Sequence, residues 1–358
     1  MTEKTTDHIE RVDQEQALYL LRGAPISELM LRAHAAKKQW HPKDRVTFVY
    51  DTNPNYTNIC TTGCRFCAFH CAKDTAGAYT LSSKELAERV RSAWDKGATT
   101  VLFQGGHNPD VTLADWLEYI RAIYALCPDI HIHPFSPPEI IFMAKQEGVS
   151  VREVLSVLRD AGISTLPGGG AEVLSDRVRT LLSPKKYTSA EWLDVMEQAH
   201  ELGFRTTATL MFGHLETDEE IISHLLLLRA LQDRTSGFNS FIPWSFKPGG
   251  SPLSEQIQEA AHPARYIRIL AVARLVLDNV CHIQSSWFSE SVAAGQLGLL
   301  AGADDFGGIL VEENVLKQTG YQRRTTVETV LEIIRQAGFT PARRDSMYQV
   351  VETYGETD

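Results

Sequence analysis

Short β-branched or apolar runs alternate along this chain with longer stretches whose apolar residues recur every three to four positions. The first pattern is that of a buried strand, the second that of an amphipathic helix. Eight strands are predicted: Val46 to Tyr50, Thr99 to Phe103, Ile130 to His133, Ser164 to Leu166, Thr206 to Met211, Phe238 to Ile242, His282 to Ser285, and a weak one near Asp304 to Phe306. Between them the spacing predicts helices over Ser82 to Lys96, Leu113 to Leu126, Ser189 to Leu202, Asp218 to Asp233 and Pro263 to Asp278, and a helical segment, Gln14 to Trp40, precedes the first strand. Ser82 followed by Glu85 reads as a capping box, and Gly97 and Gly203 stand where a helix gives way to a strand. Such alternation predicts an α/β fold with a parallel sheet, and eight repeats predict a (β/α)8 barrel of the TIM type. No low-complexity linker or short repeat divides the chain. One barrel over residues 42–311 is therefore expected, with a helical extension over 1–41 and a C-terminal extension, 312–358, packed on it.

In such a barrel the loops after the strands converge on one face, and the unusual residues fall there. Cys60 to Cys67 follow the first strand, Gln104-Gly105-Gly106-His107 the second, and His133 with Ser136-Pro137-Pro138-Glu139 the third. Gly168-Gly169-Gly170 with Glu172 follow the fourth, Phe212-Gly213-His214 the fifth, Pro243-Trp244-Ser245-Phe246 the sixth and Ser285-Ser286-Trp287 the seventh.

Composition narrows the chemistry. With 358 residues, 43% hydrophobic and 22% charged, the chain can bury a large core, and a net charge of −10 argues against nucleic acid as a partner. The N-terminus is polar and acidic, unlike a secretory leader, and the run Leu225 to Leu228 is too short to cross a bilayer, so a cytoplasmic protein with no membrane partner is expected. Of six cysteines, three crowd into eight residues, which suits metal binding better than a disulfide framework.

Cys60-Thr-Thr-Gly-Cys64-Arg-Phe66-Cys67 spaces three thiolates so that one irregular loop can bind three irons of a 4Fe-4S cubane. The fourth iron is left open to a chelating substrate, and Phe66 can shield the cluster. Electron transfer to a sulfonium bound there would release a 5′-deoxyadenosyl radical. The competing reading is a structural zinc site with Cys71 or His70 as fourth ligand. Gln104, Gly105 and Gly106 are placed to hold the methionyl amino group of S-adenosylmethionine (SAM) through backbone carbonyls, or else form a tight turn. Glu172 can reach a ribose hydroxyl, or be a surface carboxylate on a mobile loop. His107, His133 and His214 each stand at a strand exit as candidate proton acceptors, or as structural histidines. Trp244, Phe246 and Trp287 could stack on an aromatic substrate or roof the barrel; Cys127 and Cys281 read as buried small apolar residues.

The three-cysteine motif resembles that of radical SAM enzymes, and Asn55-Tyr56-Thr57-Asn58 is similar to a group that includes aminofutalosine synthase and the deazaflavin-building enzymes. LFQGGHNPD (Leu102 to Asp110), HIHPFSPPEI (His131 to Ile140), SVREVLSVLRDAG (Ser150 to Gly162), LPGGGAEVLSDRVR (Leu166 to Arg179), RTTATLMFGHLET (Arg205 to Thr217), FIPWSFKPG (Phe241 to Gly249) and EEN (Glu312 to Asn314) together resemble the cyclic dehypoxanthine futalosine synthase family of menaquinone biosynthesis. The resemblance runs from about Pro42 almost to the C-terminus. It implies a radical SAM barrel in which Cys60, Cys64 and Cys67 ligate the cluster and the Gln104 to His107 loop and Glu172 position SAM. It also implies a nucleoside-type substrate, abstraction of a ribose C4′ hydrogen with cyclisation onto a benzoate ring, and an electron donor such as flavodoxin or ferredoxin. The chain departs from that pattern at His70-Cys71-Ala72-Lys73, where Tyr-Arg is usual, and at Asp51-Thr52-Asn53-Pro54.

Overall fold

The computed structural model describes residues 11–310, 318 and 325–355; Glu312 to Asn314 lie outside the described residues. Helices α1 (Gln14–Arg22) and α2 (Ile26–Trp40) lead into β1 (Arg45–Thr52), followed by α3 (Ser83–Trp94), β2 (Thr100–Phe103), α4 (Leu113–Leu126), β3 (His131–Pro134), α5 (Pro137–Glu147), α6 (Val151–Asp160) and β4 (Thr165–Leu166). Then come α7 (Asp176–Leu182), α8 (Ser189–Glu201), β5 (Arg205–Phe212), α9 (Asp218–Thr235), β6 (Phe238–Ser245), α10 (Pro263–Val276), β7 (His282–Ile283), α11 (Val292–Leu300) and β8 (Asp305–Leu310). Beyond them lie α12 (Val327–Gln336), β9 (Thr340–Arg344) and β10 (Val350–Thr353).

All eight expected strands are present, and the first eight form the barrel as two parallel sheets, β8-β1-β2-β3 and β4-β5-β6-β7. The seam between β7 and β8 is closed by a parallel bridge between Gln284 and Asp305. At the other seam, His131 Nε2 and His133 Nδ1 both bond Thr165 Oγ1, at 2.6 and 2.7 Å. Among the described residues no helix is long and apolar enough to cross a membrane.

Local chemistry explains where the elements stop. The helical segment expected over Gln14 to Trp40 is two helices, because Gly23 ends α1 and Pro25 starts α2. The capping box at Ser82 and Glu85 forms, and Gly97 takes φ +99°, which a side chain would oppose. Strand β6 runs farther than expected. Its ladder with β5 continues through Leu210 with Pro243, Met211 with Trp244 and Phe212 with Ser245, so Trp244 lies on a strand and not on the loop after it.

The barrel carries a plug at its N-terminal end. Strand β9 pairs in parallel with the first half of β1, while β2 pairs with the end of β1, and the turn after β9 enters the barrel. Arg344 forks onto Asp305 at 2.5 and 3.0 Å, Ser346 bonds Thr100, and the Tyr348 hydroxyl donates to Ser240 Oγ at 2.6 Å. The partners of the plug therefore sit near the starts of β2, β6 and β8.

Candidate active site

The cysteine loop is irregular backbone, and every turn of it is tied to something else. Asn58 brackets the loop, its amide donating to Gly77 O and its oxygen accepting from the Tyr79 N–H. The Cys60 N–H donates to Cys71 O at 3.1 Å, Cys71 N–H to Asn58 O at 2.8 Å and Thr61 N–H to His107 O at 3.1 Å. Gly63 takes φ +63°, letting the chain reverse between Cys60 and Cys64. All six cysteines are free thiols. Burial pushes the Cys64 thiol up. For Cys67 burial works in the same direction and is the largest single effect, but hydrogen bonds from the His70 side chain and from the Phe69 and His70 backbone together outweigh it and bring the thiol below its ordinary value.

The thiols suit a cubane better than a single ion. Tetrahedral zinc would draw its sulfurs to within about 3.8 Å of one another. Among the described residues, the one set of three His, Cys, Asp or Glu donors lying within 4.8 Å is His41, Cys281 and His282, and no such set forms in the cysteine loop. A cubane holds its thiolates on separate irons and needs no such convergence.

Next to this loop the barrel opens into a cavity of about 440 Å³, lined at its rim by Phe66, Cys67, Gln104, Gly170 and Glu172. Glu172 is buried in the left-handed region at φ +42°, so its carboxylate is aimed by backbone the surroundings must hold. Lys186 Nζ bonds it at 3.0 Å and Arg179 stands 3.6 Å away, anchored to Gly170 O and Ala171 O. Burial works against the Lys186 charge, yet Cys64 and Glu172 hold its pKa above the ordinary value.

The glycines behave differently from one another. Gly169 and Gly170 border the cavity, whereas Gly105 and Gly106 are absent from its lining. A Cβ on Gly105 would meet the Tyr56 ring at 2.6 Å, and one on Gly106 would meet the Ile59 carbonyl carbon at 2.7 Å and Cys60 Cβ at 3.0 Å. These two positions lack side chains so that the β2 loop can lie under the cysteine loop. Glu139, at the start of α5, locks the arrangement by accepting from the Gly105 N–H at 3.1 Å.

The three histidines separate. His133 lines the cavity, neutral, because burial lowers its pKa to about 3. His107 does not; its ring stacks on Phe142, bonds Thr62 Oγ1 at 3.0 Å and is pulled to about 3 by burial and Lys186. His214 also lies off the cavity lining, bonded within its own turn to Met211 O and 3.0 Å from Glu216. The wall holds Trp244, Phe246, Trp287 and Phe306, the last two stacked face to face at 5.3 Å.

Several lining residues escape a reading of the sequence. Asp51, next to last in β1 and one position beyond the predicted strand, is buried and leaves Oδ1 without a partner. Burial pushes its carboxyl up to about 8, with Arg344 opposing. Lys247, paired with Glu290 at 3.1 Å, and Arg344, Ser346 and Tyr348 of the plug also reach the cavity. A strand-end rule extended by one residue would have found Asp51. Arg344 ends and Tyr348 follows β9, whose residues show no strand-like pattern, so nothing local marks them.

Residues 54–228 match the Radical SAM superfamily, and residues 235–356 match the CofH/MqnC C-terminal region. The chain is 38% identical over 342 residues to cyclic dehypoxanthine futalosine synthase of Streptomyces coelicolor, covering 95% of this chain and 85% of that one. It is equally similar, 38% over 348 residues, to 5-amino-6-(D-ribitylamino)uracil--L-tyrosine 4-hydroxyphenyl transferase of Methanopyrus kandleri, covering 96% and 94%. The crystal structure of methylornithine synthase superposes with a TM-score of 0.73 at 18% identity, over 93% of this chain and 95% of that one, which supports the barrel fold alone.

Proposed function

Because this chain belongs to the radical SAM superfamily and is an enzyme of its CofH/MqnC family, we propose that it removes the ribose C4′ hydrogen of dehypoxanthine futalosine and closes the carbon radical onto the benzoate ring. The observation carrying this reading is the meeting of Cys67 and Glu172 with an aromatic-walled cavity of about 440 Å³ at one barrel mouth. Cys60, Cys64 and Cys67 would hold a 4Fe-4S cluster, and Gln104, the Gly105 and Gly106 backbone and Glu172 would hold SAM. Together these cofactors supply a 5′-deoxyadenosyl radical.

The protein's own groups do the rest. Glu172, braced by Lys186 and Arg179, presents a fixed acceptor to a ribose hydroxyl. Trp244, Phe246 and Trp287 keep water from the carbon radical and bracket an aromatic ring. Cyclisation ends with loss of a proton and an electron, the electron passing to the oxidised cluster as acceptor, and Asp51, with a pKa near 8 and a free oxygen in the cavity, can exchange a proton near neutral pH. His107 and His214 act as supports in this scheme, His107 pinning the cysteine loop and His214 the turn after β5. The electron comes from a small donor of the flavodoxin or ferredoxin kind in the cytoplasm.

The equal similarity to the transferase favours a second reading, attack on L-tyrosine and 5-amino-6-(D-ribitylamino)uracil. Anaerobic incubation of the cluster-loaded enzyme with SAM, a reductant and each substrate set, followed by mass spectrometry, separates the two. A cyclised nucleoside two hydrogens lighter than the substrate supports the first reading. A coupled tyrosine–uracil product, or deoxyadenosine with no nucleoside product, overturns it.

A further inference from the structure

At the end of the barrel opposite the cysteine loop, His41, Cys281 and His282 each bring a donor atom within 4.8 Å of the others. His41 comes from the link after α2, and Cys281 and His282 from the entry to β7, so 240 residues of chain separate the two contributions. The imidazole rings lie 4.9 Å apart, and His41 Nε2 stands 3.9 Å from Cys281 Sγ. Behind them, Asp304 is buried and immobilised: its Oδ1 accepts from Arg274 at 2.5 Å and from the Ile283 N–H at 2.8 Å, and its Oδ2 bonds His282 Nδ1 at 2.6 Å. Holding one imidazole nitrogen on a fixed carboxylate, so that the other is oriented outward, is how metal-ligating histidines are usually braced.

We propose that His41, Cys281 and His282 form a zinc site, with Asp304 orienting His282. One thiolate and two imidazoles suit zinc and exclude calcium and magnesium, which take oxygen ligands. A tetrahedral zinc needs donors roughly 3.5 Å apart, so the present spacing must contract by about 1 Å, and His41 Nε2 must turn from the Cys281 carbonyl, 2.9 Å away, and from Asp304 Oδ2, 3.2 Å away, onto the ion. Both histidines are partly exposed, 20% for His41 and 17% for His282, which leaves room for that adjustment and a path for the ion. Of the positive charge nearby, Arg274 is paired with Asp304 and donates to the Cys281 carbonyl at 3.0 Å, so its charge is offset within the site, and Lys37 is turned onto the Leu299 carbonyl.

The site would bind three parts of the chain together. His41 belongs to the N-terminal link and Cys281 to the entry of β7, while His282 stacks at 4.4 Å on Tyr348, which reaches the cavity from the plug. None of the three ligands lines the cavity, so the zinc is structural and fixes the cavity floor.

The test uses cluster-loaded protein equilibrated with zinc and desalted, followed by metal analysis and zinc-edge X-ray absorption, to which the iron cluster is silent. One zinc per chain is expected, with one sulfur at about 2.3 Å and nitrogen or oxygen ligands at about 2.0–2.1 Å. Cys281→Ser should lose that zinc while keeping iron and sulfide. His41→Asn, on the more exposed link, carries the same expectation should Cys281→Ser fail to fold. Equal zinc in wild type and variant, zinc without sulfur, or zinc with three sulfurs, which would place it in the cysteine loop, overturns the proposal.

Discussion

Gly106→Ala tests the idea that the β2 loop exists to support the cysteine loop. The Gly106 N–H donates to Thr57 O at 3.0 Å, which fixes the residue in place. A methyl there would sit 2.7 Å from the Ile59 carbonyl carbon and 3.0 Å from Cys60 Cβ, and nearer still to the Ile59 oxygen. Carbon contacts relax near about 3.5–4.0 Å, so Ile59 and Cys60 must retreat by about 1 Å. Their retreat strains the bonds from Cys60 N–H to Cys71 O and from Thr61 N–H to His107 O. Overpacking of this kind costs about 1–3 kcal/mol, and domains of 150–250 residues lose about 2–4 °C of melting temperature per kcal/mol. Because one displaced atom is Cys60 Cβ, the damage should also appear as lost iron and sulfide after anaerobic reconstitution. Gly338→Ala is the control: at φ +85° with nothing within 4 Å of the new Cβ, it carries backbone strain of about 1–2 kcal/mol but should keep the cluster. Full iron, full sulfide and an unchanged melting temperature in Gly106→Ala would refute the packing argument.

Four further outcomes are expected. Cys64→Ala should abolish iron loading and SAM cleavage, whereas Cys71→Ala should retain both; loss of iron in the latter would make Cys71 a ligand. Glu172→Gln should weaken SAM binding to the cluster-loaded protein by about 10- to 100-fold, the worth of a charged hydrogen bond, and an unchanged affinity would remove Glu172 from the SAM site. Asp51 has a folded-state pKa near 8, above its unfolded value of 3.8, so the folded state binds the extra proton and the wild type loses stability as pH rises from about 4 to 8. Asp51→Asn should therefore be more stable than wild type at pH 8, with the gap closing by pH 4 in denaturant titrations; a pH-independent difference would contradict the burial argument. Arg344→Met should cost about 3–5 kcal/mol in denaturant unfolding, since it leaves the buried Asp305 carboxylate without its cation, and a negligible shift would mean the plug contributes little.

Much of the barrel was legible because its strands are short apolar runs and its helices carry strong caps, signals that need only neighbours in sequence. The cysteine loop and the cavity-facing Gln104 and Glu172 were legible for a related reason, since each follows a strand whose end could be placed. The glycines were harder. Gly105 and Gly106 suggested close approach to a ligand, and the structure adds that a side chain at either would collide with Tyr56 or Ile59, a constraint that depends on two loops meeting. His107 and His214 stood at strand exits like His133, but only His133 turns into the cavity, because the side-chain direction at a strand end depends on the turn that follows.

By itself, then, the sequence determined the alternation of strands and helices and the spacing of three thiols on one loop, properties set by residues close along the chain. Tertiary structure alone decided what lies across the barrel. It brought Asp51, Lys247 and Arg344 to the cavity, carried the polar strand β9 and its turn into the open end, and gathered His41, Cys281 and His282 from distant parts of the chain. The physical reason is that burial and charge pairing act between whichever groups the closed sheet makes neighbours. Cys281, which reads locally as a small apolar residue, thereby became part of a polar cluster.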